Sequence, residues 1–295
     1  MATKILLIGG DSFIAQKFIE HSKNDFQIFS ISRRRTRNVQ EKILNDFFQI
    51  SDDDFNKVDV VINFAAIVHR NDNVKEETYR KINYQLPMFL AEKSAQNHVK
   101  HYIQISTVSV YGRANKISIN TPYSPLNNYA KYKLMTDEEL SKKYHNHSMN
   151  LTILRPSMIY GGGRAPGNLS RLIKLVKMGI PLPFKGFNKK RHFLNIHHMT
   201  YALSQIVKNK ITGKHIIADI DGVSTSRLIS IINNELGKKD KQFTFRLFWF
   251  LVGLVNKGLI NKLNSELLIT NTLDLSTDRS HTIETGIKEM IQIDL

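Results

Sequence analysis

Short runs of β-branched and apolar residues alternate with longer stretches of helical period through the first half of the chain. Strands are predicted at residues 4–8, 26–31, 58–64 (VDVVINF), 101–105 and 151–154, the last ending at Arg155-Pro156. Helices are predicted at 13–22, 76–97 and 130–144. Strands that alternate with helices pair in parallel, because each crossover lays its helix on one face of the sheet. The pattern therefore predicts an α/β fold with a parallel sheet covered on both faces. After Gly161-Gly162-Gly163 the rhythm loosens. Helices follow at 169–178, 200–208 and 225–236, one strand at 215–220, and a loop through Pro181 and Pro183. This predicts a smaller C-terminal unit interleaved with the last strands, with a boundary near residue 160.

The first strand runs into Gly9-Gly10-Asp11-Ser12-Phe13-Ile14-Ala15. A phosphate-binding turn needs a tight bend, close backbone approach and a helix N-terminus aimed at the anion. Glycine meets the first two needs, and Ser12 can cap the helix. An ordinary strand–turn–helix can carry the same string, so the turn alone decides nothing. Ten tyrosines are present, and only Tyr129 has a lysine four residues on, Lys133. On a helix that spacing puts both side chains on one face. A phenol ionises near pH 10, too high for acid–base work at neutrality, and a nearby ammonium lowers it.

The surroundings of that pair carry a resemblance. Ser106-Thr107-Val108-Ser109-Val110-Tyr111-Gly112 precedes Tyr129 and Lys133, and Leu154-Arg155-Pro156 with Ile159-Tyr160-Gly161 follows. These segments, in this order, resemble the extended short-chain dehydrogenase/reductases of the epimerase/dehydratase family. The resemblance implies a Rossmann-type doubly wound parallel sheet (1–160) with a smaller C-terminal substrate-binding cap (161–295). It implies a catalytic centre of Thr107, Tyr129 and Lys133. It implies a nicotinamide dinucleotide held by Gly9, Asp11, Ser12, Phe13 and Ile14. Asp46-Phe47 would lie beside the adenine and Ala65-Ala66 under the cofactor, with Asn83, Tyr129, Lys133 and Pro156 completing the site. Ser12 and Ala15 stand where the family usually has glycine. At the second strand's end, Ser32-Arg33-Arg34 puts Arg33 where NAD-preferring relatives have an acid. A cation there suits a 2′-phosphate, so NADP(H) is expected over NAD(H).

The resemblance further places Asn168, Arg191, Thr107, Ser109 and His69 around a UDP-sugar, with Arg191 on the diphosphate. His192 replaces the family's usual Asp or Ser after that arginine. Gly179-Ile180-Pro181-Leu182-Pro183-Phe184 and Leu263-Asn264-Ser265-Glu266-Leu267 resemble the short 4-reductases of bacterial surface and capsular polysaccharide pathways. The activity expected from this is NADPH-dependent reduction of the C4 ketone of a UDP-2-acetamido-2,6-dideoxy-4-hexulose to UDP-N-acetyl-fucosamine or its C4 epimer. A UDP-hexose or UDP-N-acetylhexosamine 4-epimerase would use the same residues with a retained NAD. A non-catalytic NADP-binding sensor is a third reading, against which the Tyr129–Lys133 pair counts.

Composition narrows these expectations without deciding among them. The net charge is +16, which draws anions such as diphosphates. No nucleic-acid module is recognisable, so no nucleic-acid partner is expected. With no cysteine there is no disulfide or thiolate zinc site, and no metal site is expected. No run reaches the roughly 20 apolar residues of a membrane helix, so a soluble, cytoplasmic protein is expected. The longest, from Leu247 to Val255, is flanked by Arg246 and Lys257. That composition suits peripheral membrane contact as well as a buried cap helix. A homodimer packed through residues 76–97 and 130–144 is a family-level expectation.

Overall fold

A computed structural model gives the chain's structure and describes residues 2–36, 39–68, 74–163, 165, 167–244, 266–270, 272–273 and 281–292. His69 and the segment from Leu247 to Val255 lie outside the described residues, and with them the expectations placed there.

The central sheet contains β1 (Lys4–Ile8), β2 (Gln27–Ser32), β3 (Gln40–Ile43), β4 (Val60–Asn63) and β5 (His101–Ile105). It is completed, beyond the two-residue strand β6 (Lys116–Ile117), by β7 (Asn150–Pro156) and, from the second half of the chain, by β11 (Gly213–Ile217). The strand order is β3-β2-β1-β4-β5-β7-β11, and every neighbouring pair is parallel. The chain leaves β1 toward β2 and β3, then returns to β4 on the other side and moves outward. The order reverses between β1 and β4, which opens a crevice at the carboxyl ends of those strands.

Alternation along β1 explains the two layers. Ile5 and Leu7 face a core with Phe18 and Ile19 of α1 (Phe13–Ser22) and Leu203 and Ile206 of α6 (Ile196–Asn209). Leu6 and Ile8 face the other core, with Leu90 of α3 (Leu86–Gln96) and Leu140 of α4 (Asn128–Lys143). The long helix expected at 76–97 is broken in character. Glu76–Arg80 (α2) and α3 are joined by a π-helical turn at Lys81–Gln85. Lys131–Glu76 at 2.8 Å and Lys143–Glu92 at 3.2 Å tie α4 to this helical run.

A third apolar cluster belongs to the second half of the chain. It gathers α5 (Asn168–Lys177), α7 (Thr225–Glu235) and a C-terminal helix, α8 (Ile283–Gln292), around Phe184, Phe187 and Phe193. Four short strands join in pairs here: β8 (Met158–Tyr160) with β10 (Phe193–Asn195), and β9 (Lys190–Arg191) with β12 (Val223–Ser224). Glu289 of α8 accepts from Gly162 N–H at 2.7 Å and meets His197 Nε2 at 3.1 Å. His281 stacks on His197 with 16° between the rings. Ligand atoms of His197, His281 and Glu289 lie within 4.8 Å of one another, a cluster the sequence did not lead one to expect. Among the described residues, no helix is long and apolar enough to cross a membrane.

One buried contact in the sheet has a consequence for stability. Thr152 donates its hydroxyl proton to the Ile211 carbonyl, so its lone pair must take the Nε2–H of His101, 2.7 Å away. His101 Nδ1 is then unprotonated, buried and without a partner. Burial accordingly pushes the His101 imidazolium down from 6.5 to about 4. Below the unfolded value the unfolded chain binds the extra proton and the folded one does not, so stability falls as pH drops from 6.5 toward 4. The loss expected from this group is about 3 kcal/mol. Urea unfolding across that range should show it, and His101→Gln should remove that part of the slope.

Candidate active site

The crevice begins where β1 ends. Gly9 has φ +79°, and a Cβ there would stand 2.8 Å from the Ala65 backbone nitrogen. A Cβ on Gly10 would stand 1.8 Å from Ser30 Oγ. The turn is therefore pressed between the ends of β2 and β4, and both glycines are sterically required. Gly9 N–H donates to the Ile31 carbonyl at 2.9 Å. Ser12 then caps α1 by accepting from Ala15 N–H at 3.3 Å. The first-turn N–H groups of Phe13 and Ile14 have no carbonyl behind them, and no acid stands in that turn. This fits a pyrophosphate in its close backbone and its helix N-terminus, with Asp11 half-buried in the turn that leads into them. Serine thus does the capping that the glycine usual at this position cannot do.

Ser32 is buried, its hydroxyl 3.0 Å from that of Ser30 beneath Gly10, while Arg33 and Arg34 are exposed just beyond the strand. Asp46 caps a short 3₁₀ turn at Phe47–Gln49 by accepting from Phe48 N–H, and pairs with Lys81 at 3.2 Å. Phe47 is packed into the core behind it. Ala65 is buried at the floor. Asn83, fully buried on the π turn, donates to the Ile67 carbonyl at 2.8 Å and accepts from Ile67 N–H at 2.9 Å. Both ends of its amide are thereby committed to the loop after β4. The π turn leaves the Asn83 carbonyl to accept Thr136 Oγ1 of α4 at 2.6 Å. Asn83 is thus a support for the floor of the crevice.

The three catalytic candidates come together across β5 and α4. Thr107 follows β5 by two residues, and its side chain acts on the Tyr129 phenol, holding its pKa down. It also donates to Ser109 Oγ at 3.1 Å. Lys133 is 2% exposed, and its ammonium donates to the carbonyl of Ile105 at 2.8 Å. The electrostatics differ from the sequence expectation. Burial pushes the Tyr129 phenol up to about 12, with Thr107 opposing and the Asp137 charge reinforcing the rise. Burial pushes the Lys133 ammonium down to about 8, with Asp137 opposing. Lys133 is turned toward the β5 backbone, so in the protein alone desolvation outweighs its pull on the phenol.

Two buried polar systems behind these residues were not legible as site residues. Asn63 accepts from Ala65 N–H at 3.0 Å and donates to Gln104 Oε1 at 3.0 Å. Gln104 donates to the Ile105 carbonyl at 3.0 Å, the acceptor that Lys133 also uses. The crevice floor and Lys133 thus share one hydrogen-bonded chain. In the second system, Asp137 Oδ2 accepts from Ser106 Oγ at 2.8 Å and from Arg155 Nε at 2.9 Å. Arg155 is fully buried and donates to Tyr111 OH at 2.7 Å and to Tyr123 OH at 3.2 Å. The spacing of Asp137 four residues after Lys133 was the available signal.

The remaining candidates are spread around this centre. Pro156 is buried at the end of β7, and Ser109 is exposed beside Thr107. Asn168 is exposed at the first position of α5, where Leu169 is buried. Arg191 is half-buried in β9, and burial lowers the pKa of its guanidinium.

Residues 5–218 match the NAD dependent epimerase/dehydratase family. The chain belongs to that family. A UDP-glucose 4-epimerase of Vibrio cholerae is 26% identical, over 97% of this chain and 90% of its own. An N-acetyl-alpha-D-glucosaminyl-diphospho-ditrans,octacis-undecaprenol 4-epimerase of Escherichia coli O157:H7 is 26% identical, over 81% of this chain and 74% of its own. The fold is that of UDP-glucuronic acid 4-epimerase from Bacillus cereus, solved with NAD (TM-score 0.80, 18% identity, 99% and 98% of the two chains).

For this member of the epimerase/dehydratase family the structure assigns Asn83 a testable task. Asn83→Ala leaves the Ile67 N–H and carbonyl unpaired, which costs about 1–3 kcal/mol. Chemical denaturation should show that loss. Fluorescence titration with a nicotinamide dinucleotide should show weaker binding, because the loop bearing Ala65 and Ala66 loses its tether.

Proposed function

We propose that the chain is a nicotinamide-dependent enzyme acting at C4 of a UDP-linked sugar, with a 4-epimerase as the first reading. The observation that carries it is the meeting of Thr107, Tyr129 and Lys133 beside a glycine turn shaped for a pyrophosphate. The relatives' activities support the position of attack and favour the epimerase over the reductase that the subgroup resemblance suggested. Residues 1–160 would hold the dinucleotide and 161–295 the sugar nucleotide, with Arg191 facing its diphosphate.

The residues divide the work. The nicotinamide, when bound, supplies hydride exchange at the sugar carbon. Thr107 orients O4 by a hydrogen bond. Tyr129 exchanges a proton with O4. Lys133 places a positive charge behind the phenol and has the position to hold the nicotinamide ribose.

A 4-ketoreductase is the second reading, and two observations favour it. Tyr129 is held protonated at neutral pH, ready as an acid toward a C4 ketone. Arg33 and Arg34 stand exposed at the end of β2, where a 2′-phosphate would lie.

Two assays with purified protein separate the readings. UDP-glucose and UDP-N-acetylglucosamine are followed by NMR, and conversion to the C4 epimers with no net cofactor use establishes the epimerase. NADPH absorbance is followed with a freshly made UDP-4-keto-6-deoxy-N-acetylhexosamine, and stoichiometric loss establishes the reductase. Inactivity in both sinks the C4 reading. Tyr129→Phe should lower kcat by about 10²–10⁴-fold in whichever assay is positive, with cofactor binding retained. Arg33→Ala should weaken NADPH binding more than NADH binding if the reductase reading holds.

A further inference from the structure

We propose that Asp137 is a positioning residue of the active site. Its buried carboxylate is the counter-charge that keeps Lys133 and Tyr129 in their working protonation states, and Arg155 with Ser106 fixes where that charge sits. The proposal rests on the C4 chemistry above, because it deepens the account of that same centre.

The Lys133 ammonium is almost wholly buried, and the Ile105 carbonyl that accepts from it is neutral. A buried cation needs a nearby anion to stay charged. Asp137 lies one helical turn on, along the same face of α4. Its field reaches both catalytic groups: it raises the proton affinity of Lys133 and that of Tyr129. Without it, both groups would release their protons at lower pH.

The setting of Asp137 is unlike that of a pair kept only for stability. Its Oδ2 takes both donors, while Oδ1 is buried with no hydrogen-bond partner. A buried oxygen left without a donor is costly, and an apolar replacement for a buried ion pair is often no less stable. Arg155 is itself immobilised, its guanidinium 4.9 Å from the Tyr123 ring centre and 5.3 Å from that of Tyr111. Burial raises the Asp137 pKa above the usual carboxylate value, and the Arg155 guanidinium and the Ser106 hydroxyl, both on Oδ2, work against that rise. Ser106 is the residue before Thr107, so the same contact ties the position of the charge to that of the catalytic hydroxyl.

The test uses the full chain with 13Cε-labelled lysine. Lys133 is followed by NMR against pH, its signal identified by its loss in Lys133→Arg. In the wild type the midpoint should lie near 8. In Asp137→Asn it should move to lower pH by about one unit, a tenfold loss of proton affinity. The basic limb of the kcat–pH profile should move the same way. Asp137→Glu keeps the charge and should keep both midpoints, whatever its kcat. Where Asp137→Asn fails to fold because Arg155 is left unpaired, Asp137→Asn with Arg155→Met removes both charges, and the midpoint should still fall. An unmoved Lys133 midpoint in a folded variant, with only stability lost, overturns the proposal. A wild-type protein without turnover on any UDP-sugar sinks the C4 reading alone, and the NMR midpoint still decides for or against Asp137.

Discussion

The carboxyl edge of the sheet depends on how closely three chain segments approach one another where β1 ends. Gly9 lies against the backbone of Ala65, and Gly10 lies over the hydroxyls of Ser30 and Ser32. No side chain fits in either gap. That closeness fixes the start of α1 between β2 and β4, and so aims its first N–H groups along the crevice. It also makes the loop after β4 part of the turn's support. This loop is held twice, by Asn63 at Ala65 and by Asn83 at Ile67. Tight packing at one point therefore demands buried amides at two others, because each orphaned backbone group must be satisfied.

The layout of the fold was legible because parallel strands buried on both faces read as continuous apolar runs, as in β1 and β4. The edge strand β3 (QEKI) was not, since its side chains are half-buried or exposed and carry no apolar signal. The helix α8 was missed for a different reason. Its apolar residues Ile287, Met290 and Ile291 are few, and only docking against α7 gives them a core. The π turn at Lys81–Gln85 is a product of long-range bonds from Asn83 to Ile67 and Thr136, which local sequence does not encode.

The proposed catalytic trio was legible as a motif because its chemistry calls for a local spacing. Tyr129 and Lys133 must share a helix face, and Thr107 must follow a strand. Their electrostatics were not legible, since these depend on burial. A lysine four residues from a tyrosine promises a lowered phenol, yet in the folded chain the ammonium is turned to Ile105 and desolvation dominates both groups. Asp137 and Arg155 were passed over for a related reason: charged residues in a sequence are expected on the surface, and only the fold shows these two at zero exposure.

The buried charges behind the active site do not cancel. Lys133 and Arg155 are two cations, and Asp137 is one carboxylate. Burial of an unbalanced cation is unfavourable on its own, and the hydrogen bonds from Lys133 to Ile105 and from Arg155 to Tyr111 and Tyr123 offset only part of that cost. The excess positive charge instead favours an anion that arrives as phosphate in the crevice. Asp137 sets the size of that excess. Were the carboxylate absent, the charge would be larger and Lys133 would shed its proton. One acid between two bases keeps the lysine charged inside the core, with its ammonium on the Ile105 carbonyl at the end of β5.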